Sequence, residues 1–177
     1  FVNKNVGVNK PVTYTGFVLN GTDATNYSLP VNPASTADIT AKALTVSGTP
    51  ISNKVYDGNA TASLSNGTLV GVVVADTANV TLTQAGMFAD KNVGVAKVVT
   101  AANTIGGTES SNYTLTQPTG LSADITAKTL TVSGTTVSNK VYDGNATATL
   151  SNGTLVGVVA ADAANVTLTQ AGTFADK

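Results

Sequence analysis

The sequence repeats itself with a period of 86 residues, and this constrains the fold more than any other feature. Ile39-Thr40-Ala41-Lys42 returns at Ile125-Thr126-Ala127-Lys128, and the run from Lys54 to Thr61 returns from Lys140 to Thr147. Residues 39–87 laid over 125–173 differ at seven positions, among them Ala43/Thr129, Pro50/Thr136 and Ile51/Val137. All seven are small or conservative changes of a kind that a β surface tolerates. The rest of the unit has drifted further. Phe1-Val2-Asn3-Lys4-Asn5-Val6-Gly7-Val8 matches Phe88-Ala89-Asp90-Lys91-Asn92-Val93-Gly94-Val95 with a shift of 87. A one-residue indel near Tyr14 to Phe17 restores 86, so that Asn26-Tyr27 overlays Asn112-Tyr113. Phe174-Ala175-Asp176-Lys177 opens a third copy.

Thr40-Ala41-Lys42 and Thr126-Ala127-Lys128 each lie between strand-like runs and read as short hinges. On this frame residues 1–40 are the C-terminal part of one module. Residues 41–126 make a complete module, and 127–177 are the N-terminal part of the next. A frame cut at Phe1 and Phe88 is the alternative. With neither an initiator Met nor a signal peptide in view, an internal piece of a longer protein is expected.

Within the unit the apolar residues alternate with period two, as half-buried strands require. Leu44 and Val46 alternate with Thr45 and Ser47, Val80 and Leu82 with Thr81 and Thr83, and Tyr113 and Leu115 with Thr114 and Thr116. Asn66-Gly67, and again Asn152-Gly153, predicts a hairpin closed by a type I′ turn. About seven strands per unit and no 3.6-residue period point to an all-β chain of small antiparallel, Ig-like β-sandwich modules. A β-grasp-like arrangement or a partly open barrel is the alternative. Asn92-Val93-Gly94-Val95-Ala96 has the spacing of a tyrosine corner but lacks the tyrosine.

Composition narrows the function. The chain has no Cys, His, Trp or Arg, and Glu109 is its only glutamate. Imidazole and thiolate metal sites are therefore excluded, and the usual acid–base and nucleophilic groups are scarce. No enzyme activity is expected. Nine Lys against ten acids, thinly spread, give no basic patch for nucleic acid. The longest apolar runs, such as Val72 to Ala75, are too short to insert into a membrane as a spanning helix.

The residues Lys54-Val55-Tyr56-Asp57-Gly58 and Phe88-Ala89-Asp90-Lys91-Asn92-Val93-Gly94 resemble the YDG-motif repeats of large haemagglutinin-like bacterial adhesins. Ser111-Asn112-Tyr113-Thr114-Leu115 and Ala123-Asp124-Ile125-Thr126 carry the resemblance over the rest of the unit. It implies a secreted, extracellular protein at the bacterial cell surface, in which such repeats act as a stalk that projects a distal binding region. It carries over no catalytic residue. Neighbouring repeats are then the first partners, with identical chains in a fibre, or a cell-surface glycan or protein, as alternatives.

Four features invite a site. Tyr56-Asp57-Gly58-Asn59 reads as a turn in which Asp caps, Gly takes positive φ and Tyr packs beneath. No cofactor is expected, calcium being the one candidate: Asp57, Asp76, Asp90, Asp143 and Asp162 recur with the repeat and supply oxygen ligands. They lack the spacing of a calcium loop, so binding requires them to converge in space. An isopeptide cross-link would draw on Lys54, Lys91 or Lys97, with an aspartate as the catalytic acid. Asn-x-Ser/Thr sequons are dense, at Asn20, Asn26, Asn59, Asn66, Asn79, Asn112, Asn145, Asn152 and Asn165.

Overall fold

The computed structural model describes residues 1–14, 16–29 and 35–175. Among these the chain is all-β, broken only by four single turns of 3-10 helix. Thr15 of the indel, and Asp176 and Lys177 of the third copy, lie outside the described residues. The chain divides into two compact units, each assembled from separated stretches. Phe1–Pro50, Ser65–Ala85 and Ala101–Thr119 form the first, and Ile51–Leu64, Gly86–Thr100 and Gly120–Lys177 the second.

In the first unit Lys42–Ser47 is the central strand of a three-stranded sheet. Thr68–Val70 pairs with it antiparallel, and Tyr113–Thr116 pairs parallel, Tyr113 opposite Lys42. Two antiparallel ladders accompany it, Gly7–Val12 with Ser35–Ile39 and Thr81–Thr83 with Thr104–Gly106. The alternation works as the sequence predicts: Leu44, Val80 and Tyr113 are buried together, while Thr45, Thr81 and Thr114 face water. A buried amide closes one end of this unit. The Asn103 side-chain oxygen accepts from the Ala85 amide at 3.1 Å, and Asn103 and Gln117 exchange two further bonds.

The second unit holds a five-stranded sheet in the order Lys54–Val55, Leu121–Thr126, Gly94–Ala101, Gly86–Phe88, Thr61–Ala62. Its first pair is parallel; Leu121–Thr126 with Gly94–Ala101, and Thr61–Ala62 with Gly86–Phe88, are antiparallel. Ala62, Phe88, Val99, Ala123 and Ile125 form its core. Three two-stranded ladders follow: Thr131–Ser133 with Thr154–Val156, Thr136–Val137 with Leu150–Ser151, and Thr147–Ala148 with Gly172–Thr173.

Two sequence expectations change. Residues 41–126 carry ten short strand segments rather than about seven, and two pairings are parallel, so the sheets are mixed. The Asn-Gly hairpins do not form. Thr61–Ala62 pairs with Gly86–Phe88 while Thr68–Val70 pairs with Lys42–Ser47, so the strands flanking Asn66-Gly67 lie in different sheets. Leu150–Ser151 and Thr154–Val156 part in the same way. Asn66 does take a left-handed φ of 55°, but Gly67 has no positive φ, and a type I′ turn needs both. Gly67 is there for close approach: its amide donates to Gln84 Oε1 at 3.1 Å, and a Cβ would lie 2.3 Å from that oxygen.

The tyrosine-corner spacing resolves into a bulge. Ala96 has φ 49°, and its amide donates to Asp124 Oδ1 at 2.8 Å where the ladder register shifts. Asn9, at φ 52°, donates likewise to Asp38 Oδ1 at 2.7 Å, with its own register shift. A carboxylate that satisfies the displaced amide is thus a recurring part of this antiparallel ladder.

Candidate functional site

Each unit holds one cluster built on an aspartate at the end of a 3-10 turn. In Val74–Asp76 and in Ala160–Asp162, the aspartate amide donates to the carbonyl of Val73 or Val159 at 2.8 Å. That turn presents the carboxylate to residues far away in sequence. In the first unit Lys4 Nζ lies 2.7 Å from Asp76 Oδ1 and 3.2 Å from Glu109 Oε2. The Tyr113 hydroxyl donates to Asp76 Oδ2 at 2.7 Å and accepts from the Val73 amide at 3.2 Å. In the second unit Lys91 Nζ is 3.0 Å from Asp162 Oδ1, the Tyr56 hydroxyl donates to Asp162 Oδ2, and the lysine stands 5.8 Å from the Tyr56 ring centroid.

Lys4 and Lys91 are repeat counterparts, as are Asp76 and Asp162. The grooves beside them match as well: Val6, Lys42 and Val73 line the first where Val93, Lys128 and Val159 line the second. The same contact is therefore built twice, one repeat apart.

The charges favour ion pairing. Lys4 and then Tyr113 hold the nearly buried Asp76 below the ordinary carboxylate range, against the opposing effect of burial. Tyr56 and then Lys91 do the same for Asp162. Lys4 and Lys91 are raised by their aspartates, and Tyr113 is raised by burial first and by Asp76 second. An isopeptide bond would form by attack of a neutral amine on a protonated carboxyl with loss of water. The environment holds both groups in the opposite state, so these are electrostatic contacts. Glu109, the only glutamate, also sits on Lys4.

The Tyr-Asp-Gly turn is as expected, with a tertiary role added. Asp57 Oδ1 accepts the Asn59 amide at 3.1 Å and the Lys54 ammonium at 2.7 Å, and Gly58 takes φ +84°. Lys54 also reaches the carbonyls of Asn59 and Thr61 at 3.1 and 3.2 Å. A Cβ on Gly58 would approach Val159 Cγ1 to 2.7 Å, so the glycine also permits close packing.

The five candidate calcium ligands are dispersed. Asp57, Asp90 and Asp143 pair with Lys54, Lys97 and Lys140, each at 2.7 Å, while Asp76 and Asp162 take the lysine and tyrosine contacts above. Among the described residues no three acidic side chains come together. Several sequon side chains are engaged: the Asn112 oxygen accepts from the Val6 amide and its nitrogen donates to Glu109, the Asn59 and Asn145 oxygens accept from the Thr61 and Thr147 amides, and the Asn152 nitrogen donates to Thr136. The Lys–Asp contacts escaped the sequence reading because they span 72 and 71 residues. Their one signal was a lysine and an aspartate recurring in phase.

A family model for the YDG domain matches residues 1–37, 40–120 and 126–177. The chain belongs to the YDG domain family. The Tyr-Asp-Gly of the YDG domain is thus seen as a lysine-braced turn whose tyrosine hydroxyl engages an aspartate 106 residues ahead. No curated protein and no solved structure gives a significant match.

The shifts fix the pH dependence of these contacts. A depressed aspartate contributes stability above its unfolded value, near 4, and loses it as pH falls through the folded value. The raised lysines and Tyr113 contribute below about 10 and lose their share as pH rises beyond it. The melting temperature should therefore be flat through neutrality and fall on both flanks. In an Asp76→Asn, Asp162→Asn double variant the midpoint should start a few degrees lower at neutral pH and fall less steeply with acid. Thermal melts by circular dichroism across pH test this; an unchanged acid limb would count against it.

Proposed function

We propose that this chain is the structural repeat region, a stalk or spacer, of a bacterial cell-surface adhesin or extracellular fibre that projects a distal binding region. One observation carries the reading: Lys4–Asp76 and Lys91–Asp162 repeat the same contact in successive copies. On the frame with modules ending at 40 and 126, each of these pairs joins the C-terminal half of one module to the N-terminal half of the next. A spacer needs such a joint in every copy, because its length and stiffness are its function.

The carboxylate environments support a mechanical rather than a catalytic role. Catalytic acids are tuned upward toward neutrality, and all five candidate aspartates here are held down as ions. For the module itself, the parallel pairing of Lys42–Ser47 with Tyr113–Thr116 favours a β-grasp-like or partly open arrangement over an antiparallel Ig-like sandwich. Neighbouring repeats are the partners, and the setting is the bacterial surface.

Two measurements test the reading. Antiserum raised against the 177-residue chain should label intact source cells, and labelling only after lysis would overturn the surface assignment. The chain should show no saturable binding to glycan panels or host cells. Specific saturable affinity would replace the spacer with an adhesive module.

A further inference from the structure

The Asn66-Gly67 pair that fails to make a hairpin keeps a chemistry of its own. The Gly67 nitrogen and the Asn66 side-chain amide are close enough in the chain to close a five-membered ring. In that reaction the Gly67 nitrogen gives up its proton and attacks Asn66 Cγ. The N–Cγ bond forms, the Cγ–Nδ2 bond breaks, and ammonia departs with the proton. Water then opens the succinimide at either carbonyl, leaving aspartate or isoaspartate at position 66. Glycine is the neighbour that permits this most readily, because no Cβ obstructs the attack. Packing leaves no other choice at position 67. A Cβ there would lie 2.3 Å from Gln84 Oε1 and 2.9 Å from both Thr49 Oγ1 and Val46 Cγ1. Asn66 itself is exposed, so water reaches its side chain.

One contact opposes the reaction. The Gly67 amide donates to Gln84 Oε1 at 3.1 Å in a half-buried setting. The attacking nitrogen must lose that proton, and a hydrogen bond made by the protonated form disfavours its loss. The cradle recurs behind the identical Ser-Asn-Gly-Thr of the next copy. There a Cβ on Gly153 would lie 2.1 Å from Gln170 Oε1 and 2.8 Å from Thr135 Oγ1.

We infer that Asn66 is a self-modification site, a succinimide-forming asparagine, and that Gln84 is the positioning residue that keeps it unreacted. The product bears on the sheet. Thr68–Val70 starts directly after Gly67 and pairs with the central strand Lys42–Ser47. Thr68 stands opposite Ser47, their hydroxyls 3.1 Å apart. Isoaspartate routes the main chain through the side-chain carbon, which lengthens the backbone by one atom just before this strand and adds a negative charge. Gln84 thus guards the strand register.

Incubation of the 177-residue chain at mildly alkaline pH, followed by peptide mapping with mass detection, reads the conversion at Asn66. In the folded parent it runs at least about fivefold slower than in the urea-unfolded chain, the factor that one net hydrogen bond supplies. Gln84→Ala removes the acceptor and speeds the folded chain by about the same factor. Gln84→Glu keeps an oxygen acceptor and stays near the parent rate. Asn152 in the same samples is the internal reference, and neither substitution changes its rate. Ile39→Ala weakens the same unit without touching Gln84, and in its folded state Asn66 converts at the parent rate. Equal rates at Asn66 in the folded and unfolded parent overturn the proposal. So does a Gln84→Glu variant as reactive as Gln84→Ala, or a folded Ile39→Ala variant accelerated as much.

Discussion

Gly107→Ala is expected to destabilise the first unit by about 3–5 kcal/mol, whereas Gly21→Ala, one repeat earlier, costs about 1–2 kcal/mol. Both glycines have positive φ, +99° and +115°, so each substitution meets backbone strain. Their surroundings differ. A Cβ on Gly107 would lie 2.2 Å from the carbonyl oxygen of Asn79, 2.8 Å from its carbon and 3.3 Å from the Val80 nitrogen. These are backbone atoms, and they cannot turn aside as a side chain does. The Asn79 carbonyl is also held by the Glu109 amide at 3.2 Å, and the adjacent Val80 is a core residue. A Cβ on Gly21 would meet no described atom within 4 Å beyond its chain neighbours. Denaturant titrations of the two variants read the difference directly, and equal losses would show that conformational strain alone decides.

Much of the core was legible because strand alternation is a local signal. Leu44, Val80 and Tyr113 stand at positions where apolar residues alternate with Thr, and burial follows the pattern. The Tyr-Asp-Gly turn was legible for a similar reason: Asp57 and Gly58 act within three residues of one another. The Asn-Gly pairs misled because their glycine answers to Gln84 and Gln170, which are 17 residues away, rather than to the turn. The candidate site was out of reach on different grounds. Lys4 reaches Asp76, and Lys54–Val55 its parallel partner, only after some 70 residues have folded between them. No local pattern separates Phe88 from Phe174 either, although one is buried and the other is not. What differs is the packing around the ring: Phe88 lies against Val99, Ala123 and Ile125.

That difference predicts the second large effect. Ile125→Ala should cost about 3–4 kcal/mol, and Ile39→Ala, the same residue one copy earlier, about 1 kcal/mol. Ile125 is 1 % exposed, packs with Ala62, Phe88, Val99 and Ala123, and has a strand on either side. Removing three carbons there leaves a cavity that the four other strands of the sheet cannot close. Ile39 is only half-buried, on a strand with a single neighbour, so solvent and side-chain relaxation fill the gap. Native-state hydrogen exchange separates the two, since it reads each unit without requiring one global transition. Matching losses at the two isoleucines would mean that the first hairpin already has a full core.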